Sequence, residues 1–158
     1  MKNIAIALVL LFVVGCSNDY ETPPYPFQDV SYYSSLSGRD LNLSPVLAGT
    51  NLTFIDFSQG ALSHEWSIET GNFFLVEKFP TTTGADLTPY IDTEKGLTTT
   101  AAKAHVLFPN AGTFKVTLTN TYSEKVTYKG AIPIDAVKVG DVWVFTKVFE
   151  ITVKPKVN

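Results

Sequence analysis

A chain of 158 residues with 45% hydrophobic and 13% aromatic content suffices for one globular domain with appendages, and is too apolar for a disordered tail. A formal net charge of −3, with 12 basic residues spread thinly, argues against a surface that tracks nucleic-acid phosphates. One Cys excludes an intramolecular disulfide, and two His leave too few ligands for a multi-ligand zinc site.

Met1-Lys2-Asn3 and the apolar run Ile4 to Val14 read as a signal peptide over residues 1–15. Eleven apolar residues fall short of the roughly 20 that a membrane-spanning helix needs, and match a signal-peptide core. The run ends in Val13-Val14-Gly15-Cys16, which resembles the lipobox of bacterial lipoproteins. That resemblance implies cleavage before Cys16, diacylation of its thiol and acylation of the new amino terminus. Three acyl chains hold a protein stably, since each buried methylene contributes about 0.8 kcal/mol. The implied partner is a membrane, reached through the lipid, and the implied location is the cell outer membrane. Ser17-Asn18-Asp19 resembles the polar tract that directs some such proteins to the outer face; a periplasm-facing orientation stays open.

Residues 16–44 read as the lipidated cysteine and a linker. Glu21-Thr-Pro-Pro-Tyr-Pro26 places three prolines in six residues, which favours a semi-rigid polyproline spacer. Ser31 to Gly38 is rich in Ser and Tyr. Of Tyr20, Tyr25, Tyr32 and Tyr33, some are expected to cover the edge of the following domain rather than to touch a ligand.

From about Pro45 to the end the pattern is that of strands. Leu52 and Phe54 share one face against Thr53, Ile55 and Phe57. His64, Trp66 and Ile68 alternate with Ser63, Glu65, Ser67 and Glu69. Phe114, Val116 and Leu118 alternate with Thr113, Lys115, Thr117 and Thr119. The final run, Val142 to Lys154, closes with Phe149, Ile151 and Val153 on one side. Gly60, Gly71, Asn110-Ala111-Gly112 and Asn120 stand where turns are needed. Asp86 to Lys95 is the best candidate for a helical turn, and no segment sustains a period of 3.6. The expected fold is an all-β antiparallel sandwich over residues 45–158.

Three pieces carry a second resemblance: Leu52-Thr-Phe-Ile-Asp-Phe-Ser58, His64-Glu-Trp-Ser-Ile-Glu-Thr-Gly71, and His105-Val-Leu-Phe-Pro-Asn-Ala-Gly-Thr-Phe-Lys-Val-Thr-Leu118. Together they resemble the polycystic-kidney-disease (PKD) repeat, an immunoglobulin-like β-sandwich, over roughly Pro45 to Asn120. Thr70-Gly71-Asn72 stands in place of the family's Gly-Asp-Gly, and no metal site is carried over. Two long inserts, Glu77 to Lys103 and Tyr122 to Asp141, are expected to shape a ligand-facing edge. A lipobox, a proline spacer and a PKD-like domain are together similar to the membrane-proximal part of surface glycan-binding lipoproteins of polysaccharide-uptake systems. The resemblance implies an oligosaccharide or polysaccharide ligand and an outer-membrane transporter complex as partner.

No nucleophile, base and orienter recur in a recognisable pattern, so a non-catalytic protein without cofactor is expected. His64 and His105 lie in strands beside core positions, and His105 is expected to hydrogen-bond within the fold. Glu65, Glu69, Asp86, Asp92 and Glu94 are dispersed, as surface acids are. A sugar ring presents an apolar C–H face, so aromatic platforms are the candidate contacts. Trp66 is inward by alternation. Trp143 is freer: it shares parity with Phe145, but Lys147 interrupts the row and implies a bulge or a strand start. Tyr90, Tyr122 and Tyr128 lie in or beside the inserts and complete the candidate set. The alternative is a structural or adhesion module that docks another protein and has no sugar site.

Overall fold

A computed structural model of the protein describes residues 27–156. The signal segment and Cys16 lie outside the described residues. Twelve strands follow in chain order. They are β1 (Tyr32–Ser34), β2 (Val46–Leu47), β3 (Thr50–Asp56), β4 (Ser63–Ile68), β5 (Phe73–Phe74) and β6 (Thr98–Thr99). Then come β7 (Lys103–Phe108), β8 (Gly112–Tyr122), β9 (Thr127–Tyr128), β10 (Ile134–Asp135), β11 (Val137–Val139) and β12 (Val142–Lys154). The helical turn expected between Asp86 and Lys95 is a single 3-10 turn, Thr88–Tyr90.

Two sheets form an all-β sandwich. One runs β1-β3-β7-β5; the other runs β11-β12-β8-β4-β6, with β2 pairing parallel to the end of β12. Alternation fixes which side chains meet between them. Leu52 and Phe54 of β3, Trp66 of β4, Val106 of β7, Leu118 of β8 and Phe145 of β12 are all 1% exposed or less. Each such side chain adds about 1.5–3 kcal/mol relative to an exposed position. A one-residue slip would turn this whole set outward, so burial enforces the register. The insert Glu77 to Lys103 lies on the outer face of the first sheet, where Leu75, Leu87 and Leu107 form a second, smaller core with Phe79 and Tyr90.

Three expectations change. First, the domain starts well before residue 45. Val30 is buried, Asp29 bridges Gln59, and β1 pairs in register with β3, Tyr32 opposite Asp56. Tyr32–Ser34 of the Ser/Tyr-rich stretch is therefore part of the first sheet. Second, Asn120 makes no turn. It is an inward residue of β8, fully buried, where its amide nitrogen finds Asp56, Ser58 and Tyr122 as acceptors. Third, β12 has no bulge at Lys147. Its pairing with β8 is unbroken from Trp143 opposite Tyr122 to Val153 opposite Gly112.

On its other side β12 meets β11 only at Val142 to Val144 and β2 only at Val153 and Lys154. Between them, over residues 145–152, no described strand lies against its outer edge. The β11–β12 hairpin closes through Gly140-Asp141, and Gly140 at φ +58° supplies the left-handed backbone that a two-residue turn requires.

Candidate functional site

The flank where β1 faces β12 opens into a cleft of about 390 Å³, walled by aromatic rings and floored by a cation. Parity builds it. Tyr32 is an inward residue of β1, Lys147 and Phe149 are inward residues of β12, and the second insert lays Tyr128 of β9 over them. Tyr32 and Tyr128 stack at 4.4 Å between ring centres with 23° between planes. Phe149 meets Tyr32 edge-on at 5.4 Å and continues inward to Phe54 at 5.2 Å and Trp66 at 6.2 Å. The wall is therefore rigidly continuous with the core. Such ring pairs contribute about 0.5–1.5 kcal/mol each beyond burial.

The Lys147 ammonium lies 5.5 Å from the Phe149 ring centre and 6.0 Å from that of Tyr32. Attraction to the ring faces contributes about 0.5–2 kcal/mol, which offsets part of the cost of drawing a cation inward. Among the described residues no carboxylate pairs with it. Burial, and then the neighbouring Tyr128 hydroxyl, push the Tyr32 hydroxyl well above its ordinary value. It stays a neutral hydrogen-bonding group throughout the physiological range.

The hairpin of β9 and β10 holds Tyr128 in place. Tyr128 pairs with Ile134 and Thr127 with Asp135. Asp135 takes a 2.8 Å contact from Lys125 and a 2.6 Å hydrogen bond from the Thr127 hydroxyl. Lys125, then Thr127, hold that carboxyl below its usual range. The Tyr128 ring lies directly over Gly130, where an added Cβ would come within 2.7 Å of Tyr128 Cζ. Only a residue without a side chain fits beneath the ring. Tyr128 also borders a second cleft of about 530 Å³, which Phe27, Asp29 and Lys129 line.

A polar network sits apart, at one end of the core. Asp56 Oδ2 accepts from the Asn120 amide at 3.1 Å and contacts His64 Nδ1 at 3.2 Å. Asp56 Oδ1 accepts from the Ser58 backbone at 2.9 Å. Asn120 also donates to Ser58 Oγ at 3.0 Å and to the Tyr122 hydroxyl at 3.3 Å. A His–Asp pair invites comparison with a catalytic triad, but His64 Nε2 meets the carbonyl oxygen of Thr100, not a hydroxyl. The arrangement orients the His64 ring between Asp56 and the Thr100 carbonyl. His105 bonds the Thr53 hydroxyl through Nδ1 at 2.8 Å and meets the Phe79 ring edge-on. Burial, then the charge of Lys103, lower its pKa.

Three of the five dispersed acids serve local structure. Glu69 accepts from the Lys115 backbone, Asp86 from that of Thr88, and Asp92 pairs with Lys95. Among the described residues no three His, Cys, Asp or Glu side chains are grouped to hold a metal ion, and no helix is long and apolar enough to cross a membrane.

The four candidate aromatics part company. Tyr128 lines the cleft. Tyr122 does not: it is fully buried, with its hydroxyl on Asn120 and the Asp29 carbonyl, because β8 runs on to residue 122 and turns it inward. It is a core residue and not a ligand platform. Tyr90 packs on the smaller core beneath the first insert. Trp143 is half-buried against the main core, on the inward row of β12 opposite Tyr122. Sequence reasoning missed Lys147 and Phe149 as cleft residues, although the inward parity of β12 was the signal that locates them. Comparison with known proteins finds no matching family model, no matching curated protein and no matching solved structure.

Proposed function

We propose that the chain is a non-catalytic cell-envelope lipoprotein, anchored through Cys16 in the outer membrane, whose sandwich binds glycan as part of a polysaccharide-uptake system. The observation that carries this reading is the cleft at Tyr32, Tyr128 and Phe149, where ring surface and hydroxyls converge on one open flank. A saccharide offers C–H faces to rings and hydroxyls to polar groups, and open sites of this size and lining suit it. The strand order supports an immunoglobulin-like, PKD-like sandwich. β1-β3-β7-β5 faces β12-β8-β4, and β2 crosses over to pair parallel with the last strand.

Affinity electrophoresis and calorimetry against a panel of polysaccharides test the binding. Tyr128→Ala should weaken association with the bound glycan by about tenfold or more, as loss of a central aromatic anchor does. No glycan bound by the wild-type chain, or no change on this substitution, removes the glycan reading. Mass spectrometry of native protein tests the anchor. An unmodified thiol on Cys16 with Met1 retained overturns it.

A second reading, a protein-docking module without a sugar site, rests on a different surface. Val137, Val139 and Val148 are 66%, 57% and 45% exposed on the outer face of β11 and β12. Recovery of a stoichiometric protein partner from outer-membrane extracts, lost on Val137→Asp, favours that reading.

A further inference from the structure

We infer that the cleft takes an anionic saccharide, with Lys147 as the group that recognises its negative charge. The inference rests on the glycan reading and narrows it to one class of sugar. Along β12 the inward row reads Trp143, Phe145, Lys147, Phe149, Ile151 and Val153. Five of these complete the core, and the sixth is a cation. An inward position costs a lysine part of its hydration, and the cost is met where a partner supplies opposite charge. No such partner is present among the described residues: the carboxylates of Asp135, Asp92, Glu77 and Asp56 are each engaged by other groups. What surrounds the ammonium is ring surface from Tyr32 and Phe149. Those rings attract the charge, and among the described residues no side chain or carbonyl accepts from it.

The lining selects the rest of the ligand. Ile132, Ile134 and the Tyr128 ring give the cleft apolar walls, and Ser37 adds a hydroxyl at its rim. A small inorganic anion would fill only the neighbourhood of the amine. A saccharide bearing a carboxylate or a sulfate ester lays its C–H face on the rings and places the acid on Lys147. The adjoining cleft beyond Tyr128 is lined by Asp29, by Lys125, which pairs with Asp135, and by Lys129, with which no carboxylate pairs among the described residues.

The test compares tetragalacturonate, a sulfated galactan oligosaccharide, the carboxyl-reduced neutral form of the first, and a glutamate tetrapeptide, by calorimetry on the whole folded chain. Lys147→Met keeps the apolar stem and removes the charge. It should lower affinity for an acidic sugar by about tenfold or more, the loss of a charge-assisted hydrogen bond, and leave the neutral form's binding unchanged. Lys147→Arg should retain most of the affinity. Wild-type binding to the acidic sugar should weaken as salt is added, a measurement that holds even where Lys147→Met does not fold. Equal binding of neutral and acidic sugars, with no salt dependence, overturns the inference and leaves the glycan reading standing. Tighter binding of the peptide than of any sugar overturns it in favour of an acidic polypeptide. Binding of none of these sugars, while a neutral glycan of the wider panel binds, overturns the inference alone; binding of no glycan at all removes the glycan reading beneath it.

Discussion

At the scale of single residues, several polar groups of this sandwich are answered by polar groups from distant parts of the chain, as Asp56 is by the Asn120 amide nitrogen and Thr53 by His105. His105 illustrates the consequence for acid stability. Burial, and then Lys103, disfavour its charged form, so it gains a proton later than the unfolded chain does as pH falls. Between the ordinary histidine value near 6.5 and the lowered folded value, the unfolded chain binds more protons. Stability therefore falls as pH drops through that window, and the loss is complete below the folded value. Urea midpoints at about pH 7.5 and 5.5 should separate by less in His105→Gln, which retains a polar partner for Thr53, than in wild type. Equal separations would remove His105 as the source. Asn120 shows why such residues resist sequence reading. Asparagine is a turn former by habit, and the partner that draws it inward, Asp56, lies 64 positions away.

At the scale of elements, the long strands were legible and the short ones were not. Period-two alternation placed Leu52 with Phe54, Trp66 with Ile68, and Val116 with Leu118, and the structure buries each of those pairs. β1 escaped because three residues inside a Ser- and Tyr-rich stretch carry no period; pairing with β3 makes them a strand. Lys147 suggested a bulge because a cation on an inward row is rare. The rings that make the position tolerable come from β1 and from β12 itself, 115 and two positions away. The β9–β10 hairpin is the element whose geometry most directly sets the cleft. In Gly130→Ala the new methyl group occupies the space of the Tyr128 ring, so the ring must swing off Tyr32. Thermal melting should show a folded protein, because the core strands are untouched, while affinity for the glycan falls as it does in Tyr128→Ala. Unchanged affinity in Gly130→Ala would show that the Tyr32–Tyr128 stack is not part of the binding surface.

At the scale of the whole molecule, the two sheets and their hydrophobic centre follow from alternation and turn residues, whereas the cleft depends on how the flank is closed. That closure joins Tyr32, Tyr128 and Phe149, contributed by three strands far apart in sequence, and no local pattern announces their meeting. Three of the four candidate aromatics, Tyr90, Tyr122 and Tyr128, came from the inserts, and Trp143 from the strand row. The first criterion found Tyr128 and also gathered Tyr122, whose hydroxyl the core had already engaged. The same flank leaves residues 145–152 of β12 bonded to a neighbour on one side alone. In deuterated water this asymmetry becomes a rhythm. Amides that point toward β8 are locked for as long as the sandwich holds, while every second amide along the stretch faces the solvent side and trades its proton early. Site-resolved exchange should alternate fast and slow from residue 145 to 152 and turn uniformly slow at Val153, where β2 takes up the free edge; a flat slow profile would mean that another segment covers the gap.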